Sequence, residues 1–143
     1  MLDFPYMTTP GGVIRPIIAV VLQGPTSQRL LDGLLDTGSD RTVFPEREAA
    51  AVGISLPTSP DSSFKTAGGV SIPYRLADAV LELRAAAATV RWKATVAFAD
   101  DPLTIIHLGH RGFLEFFRAT FHGPERKVSL DPQPTLPAYQ PNA

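Results

Sequence analysis

The chain of 143 residues contains no cysteine. That excludes disulfides, thiolate metal sites and cysteine nucleophiles, and it fits a reducing compartment. No uninterrupted apolar run is long enough to span a bilayer. Met1 to Thr9 lacks a positive segment leading into an apolar stretch, so no secretory signal is expected. Neither sign of charge dominates: 13 Lys and Arg against 14 Asp and Glu give a formal net charge of −1, with the basic residues scattered. Such a chain carries no electrostatic footprint for nucleic acid. Repeats at a solenoid or propeller period are also missing. The expectation is a soluble, cytoplasmic protein with neither a nucleic-acid nor a membrane partner, and with no cofactor.

What is present is an ordinary globular balance, 44% hydrophobic and 19% charged, enough for one domain with a modest core. Fourteen prolines and eleven glycines imply many short elements joined by turns. Val13 to Leu22 reads as a strand, with Pro16 marking an edge or a bulge, and Gln28 to Leu35 as its partner. Thr42 to Phe44 is a short strand. Pro45 to Gly53 has a proline at its start, acids in the first turn and a glycine stop, the pattern of a small helix. Ser63 to Leu83 reads as two strands folded over Ala67-Gly68-Gly69-Val70. Val90, Trp92, Ala94, Val96 and Phe98 alternate with Arg91, Lys93 and Thr95, a strand with one buried face. Thr104 to Leu108 is a further apolar strand, and His110 to Phe117 has the spacing of a short helix. Arg118 to Phe121 and Arg126 to Leu130 form a hairpin around Gly123-Pro124. The domain is expected over 12–131, with an N-terminal segment 1–11 and a flexible, proline-rich tail 132–143.

The segment with the most chemical content is Leu34-Leu35-Asp36-Thr37-Gly38-Ser39-Asp40. An acid directly after an apolar strand, followed by a tight turn, is held in a fixed and partly desolvated place. A plain surface turn would use the same residues. Two more features follow in order: the Gly-Gly hairpin tip, and an apolar strand that meets a glycine at Leu108-Gly109.

Together with Ile106-His107-Leu108-Gly109-His110-Arg111-Gly112-Phe113-Leu114 and the closing hairpin, this order resembles the retropepsin-like aspartic proteases, single-domain homodimeric relatives of pepsin. The resemblance implies a mainly β fold, a partly closed β-barrel of the acid protease type with one or two short helices. It also implies an aspartic-type endopeptidase, a hydrolase in which two Asp36 carboxyls of a homodimer activate water against a peptide or protein substrate. Asp36, Thr37 and Gly38 would be the catalytic triplet. Thr37 would tie the two active-site loops together, and Gly38 would let the backbone approach substrate. Ser39 would donate to Asp36 and Asp40 would hold substrate main chain. Ala67, Gly68, Gly69 and Val70 would form a flap, with Ile106, Val43 and Ile72 as apolar walls.

One departure stands out. Where many members carry an arginine after the glycine matched by Gly109, this chain has His110, which is expected to take over the pairing with Asp40. His107 also replaces one of two customary apolar residues. Three histidines, His107, His110 and His122, are too dispersed to define a zinc site, and no metal is expected. The alternative to an enzyme is a non-catalytic dimeric peptide-binding or scaffold domain keeping the same fold.

Overall fold

The computed structural model describes residues 1–100 and 105–140. In chain order the elements are β1 (Leu2–Pro5), β2 (Met7–Thr8), β3 (Ile14–Arg15), β4 (Ile17–Gln23), β5 (Gln28–Leu35), β6 (Val43–Pro45) and α1 (Glu46–Val52). They continue with β7 (Ser62–Lys65), β8 (Ser71–Arg84), β9 (Thr89–Ala99), β10 (Ile106–Leu108), a 3-10 turn (Leu114–Phe116), β11 (Phe117–His122) and β12 (Lys127–Pro132). The protein is mainly β. Thr104, where the sequence pattern starts the strand before Leu108, lies outside the described residues, as do residues 141–143 of the proline-rich end.

Six strands close on themselves in the order β4-β5-β10-β6-β9-β8, and β8 returns to β4 through Val21 opposite Glu82. β7 is appended to the outer half of β8. The 14-residue β8 makes this possible, pairing with β7 at one end, β4 at the other and β9 along most of its length. A second sheet, β1-β12-β11, joins the two ends of the chain.

Pro16 divides the predicted Val13 to Leu22 strand in two. Having no N–H, it cannot donate to a ladder; Ile14–Arg15 pairs with β2, while Ile17–Gln23 pairs with β5. Residues 1–11, set apart in the sequence, feed the core: Leu2 and Phe4 are buried, and β1 is fully paired with β12. The expected loose tail is also tied down as far as it is described. The Lys93 N–H donates to the Pro137 carbonyl and the Tyr139 N–H to the Arg91 carbonyl.

α1 forms where expected, with Glu46 and Glu48 in its first turn and Gly53 at its end. The second predicted helix, His110 to Phe117, does not form. Gly112 has φ 93°, and its N–H is captured by the Glu115 carboxylate at 2.7 Å. Phe113 is also non-helical, and only the 3-10 turn Leu114–Phe116 remains before the chain extends into β11. The reward for that break is packing. It sets Phe113 and Phe117 against Trp92 at ring-centroid distances of 5.4 and 5.2 Å, both edge-on, a favoured aromatic geometry. The buried indole N–H donates to the Gly112 carbonyl at 2.9 Å, which satisfies both groups. This cluster anchors the segment that runs past Asp36.

Candidate active site

Asp36 follows the last residue of β5. Leu35 points into the core, and the chain then turns at once: the Ser39 N–H donates to the Asp36 carbonyl at 3.2 Å. The carboxylate caps this turn, with Oδ1 accepting the Gly38 N–H at 2.9 Å. The side chain is 32% exposed, enough to meet solvent and too little to wander.

The turn is strapped to the segment after β10 by backbone hydrogen bonds. The Asp36 N–H donates to the Leu108 carbonyl, His110 N–H to Ser39, Arg111 N–H to Asp40 and Thr42 N–H to Arg111, at 2.9 to 3.1 Å. Gly109 sits at the crossing. A Cβ built there would lie 2.3 Å from the Arg41 carbonyl oxygen and 2.5 Å from that of Ser39. Both neighbours are backbone and cannot step aside, so glycine is required. This explains in physical terms why a glycine ends the apolar strand.

β10 pairs parallel with β5, with His107 opposite Leu34. Strand alternation sends Ile106 and Leu108 into the core and His107 to the opposite side. His107 Nδ1 reaches Asp36 Oδ2 at 3.0 Å. An ionised carboxylate only accepts, so the facing ring nitrogen is the donor whenever Asp36 carries charge. His107 is therefore a site residue that sequence reasoning treated as a dilution of the apolar wall and as a member of a rejected zinc set. Its partner lies 71 residues away, and only the register reveals the meeting.

Asp36 and His107 open onto a cleft of about 1070 Å³. Val43, Ala97 and Tyr74 line it together with the adjoining β7 hairpin, from Ser63 to Ala67. Phe64 stacks on Tyr74 with centroids 6.3 Å apart, which fixes the hairpin's base. Its tip is closed by the Thr66 N–H to Val70 carbonyl bond at 2.9 Å.

The expected site residues divide as follows. Asp36, Gly38, Ser39, Asp40 and Ala67 all line the cleft. Thr37 is exposed beside it. Gly68, Gly69 and Val70 form the exposed tip and do not line the cleft, and Ile72 is half-buried against the Val43, Tyr74 and Ala97 cluster. Ile106 is 5% exposed and belongs to the core, so it is no cleft wall. The Ser39 hydroxyl donates to the Arg41 carbonyl at 2.7 Å rather than to Asp36, because the turn brings that carbonyl nearer. His110 and Asp40 are both exposed, and no hydrogen bond or ion pair joins their side chains. What links the two loops here is backbone, which leaves no structural need for that pairing. His122 sits on β11, with Nε2 3.0 Å from the Ser129 hydroxyl, in the other sheet. Among the described residues no group of three or more His, Asp or Glu could hold a metal ion, and no helix is long and apolar enough to cross a membrane.

No family model matches the chain, and no curated protein sequence does. Among solved structures it is similar to a retropepsin-like aspartic protease from Rickettsia conorii. The TM-score is 0.55 at 16% identity, over 90% of this chain and 98% of that one. It is also similar to EIAV protease complexed with the inhibitor HBY-793, with a TM-score of 0.47 at 20% identity, over 67% of this chain and 82% of that one. The likeness to the Rickettsia protein spans nearly the whole of both chains, and the fold is retropepsin-like.

Proposed function

We propose that this chain of retropepsin-like fold is an aspartic endopeptidase that works as a homodimer. The observation that carries the reading is the Asp36 carboxylate: fixed by the Gly38 N–H, partly exposed, and opening onto a peptide-sized cleft beneath a hairpin. One such carboxyl is half of the machinery. Peptide hydrolysis by an acid pair needs one ionised carboxyl to take a proton from the attacking water and one protonated carboxyl to donate to the scissile carbonyl. Two carboxyls about 3 Å apart share a proton because both cannot ionise, a behaviour for which aspartic proteases are the standard example. A two-fold axis would supply Asp36 of the partner subunit. Thr37, exposed at the turn, is available to tie the two loops together, and the hairpin tip at Gly68, Gly69 and Val70 is free to fold over substrate.

The contact of His107 with Asp36 favours a second reading, a dimeric peptide-binding domain without cleavage, since with the Gly38 N–H it engages both carboxyl oxygens within the chain. Incubation with a denatured protein mixture from pH 3 to 7 separates the two. Cleavage that is lost in Asp36→Asn and blocked by pepstatin supports the peptidase. Equal cleavage by both proteins, or none by the unaltered chain, contradicts it.

A further inference from the structure

The cleft is more cationic than a site for apolar side chains needs. Arg41, Lys65 and Arg111 line it, against the acids Asp40 and Asp36, and Asp36 belongs to the chemistry. The cations come from separate segments. Lys65 is on the β7 hairpin, while Arg41 and Arg111 lie next to each other on the strap through an isolated parallel bridge. None of the three has an ion-pair partner among the described residues. Arg41 is held in place all the same, its guanidinium carbon 5.7 Å from the centroid of the Tyr74 ring. A guanidinium on an aromatic face keeps its donors free for a carboxylate. All this occurs in a chain of net charge −1, so the positive lining is local rather than a reflection of overall composition.

We infer that the cleft selects peptides bearing glutamate or aspartate beside the scissile bond. This rests on the peptidase reading for its cleavage step but not for its binding step. The half-buried Phe64 offers an apolar contact for the substrate's neighbouring side chains, and the cations set preference among peptides of equal size. Partly exposed ion pairs are each worth little, so two or three acting together give a preference of about five- to tenfold. Screening weakens it as salt rises from about 0.05 M to about 0.5 M.

The test uses peptides differing only in Glu, Gln or Lys near the cut, read both as kcat/KM of the unaltered chain and as binding of fluorescent peptide to full-length Asp36→Asn. The expected order is Glu over Gln over Lys in both readouts, compressed by salt. Arg41→Glu and, separately, Lys65→Glu on the exposed hairpin should each move the Glu-to-Lys ratio toward or below one. Equal binding of the Glu and Lys peptides overturns the inference. So does a ratio unchanged in both variants. Charge-dependent binding with no cleavage by the unaltered chain supports this inference while contradicting the peptidase reading.

Discussion

His107 Nδ1 lies 3.0 Å from Asp36 Oδ2, while Asp36 Oδ1 takes the Gly38 N–H. The carboxyl is thus held at both oxygens before any second subunit arrives. Such preorganisation favours one rotamer of the acid.

His107→Gln keeps a hydrogen-bond donor, whereas His107→Ile removes it. If the contact positions Asp36, His107→Ile should lower kcat/KM by about tenfold, roughly 1.4 kcal/mol, and His107→Gln should recover part of that loss. Equal kcat/KM in the unaltered chain and both variants would contradict a positioning role for His107.

Gly109→Ala is expected to be severe. Its new methyl would meet the Arg41 and Ser39 carbonyl oxygens at 2.3 and 2.5 Å, and overpacking against backbone costs about 1–3 kcal/mol or more. Gly123→Ala is the control, since nothing lies within 4 Å of its added Cβ. Denaturant midpoints for the two variants should differ clearly, with Gly123→Ala near the unaltered chain.

Trp92→Phe keeps the aromatic packing against Phe113 and Phe117 but removes the N–H that the Gly112 carbonyl accepts. Stranding a buried acceptor costs about 1–3 kcal/mol. A thermal or denaturant unfolding curve reads this directly. A larger loss of activity than of stability would place the Gly112 break in control of the strap.

Acid should unfold the protein in a definable window. Glu82 is 2% exposed. Burial pushes its carboxyl up, but the hydrogen bonds from Arg84 and Arg91 outweigh this and hold it below its ordinary 4.5. At the chain ends, the Ser129 hydroxyl donates to Asp3 at 2.6 Å and lowers that carboxyl below 3.8. Depressed carboxyls contribute stability that is fully present above their ordinary values and is lost as pH falls through the folded ones. Stability should therefore be flat above about pH 5 and decline below 4.5. Glu82→Gln should be less stable at neutral pH and decline less steeply in acid. Unfolding curves at a series of pH values check both statements, and they mark where loss of activity becomes loss of fold.

Much of the fold was legible because it is written locally. The alternation from Val90 to Phe98 became β9, the proline, acids and glycine of Pro45 to Gly53 bounded α1, and Gly68-Gly69 formed a hairpin tip. The placement of Asp36 after an apolar strand was equally readable. Long-range register was not. Whether residue 106 or 107 faces the cleft depends on how β10 pairs with β5, and a shift of one residue exchanges the faces. The helical spacing of Phe113, Leu114 and Phe117 was real, yet those residues serve a Trp92 cluster after a break at Gly112. β1 is only four residues long, too short for its alternation to announce a strand until β12 is beside it.

The most direct test of the two-carboxyl site mixes unaltered chains with Asp36→Asn chains under conditions of free subunit exchange. If each site needs both acids, activity should follow the square of the unaltered fraction, falling to about a quarter in an equal mixture. A linear decline, to about half, would mean that a single chain carries the chemistry alone and would contradict the account.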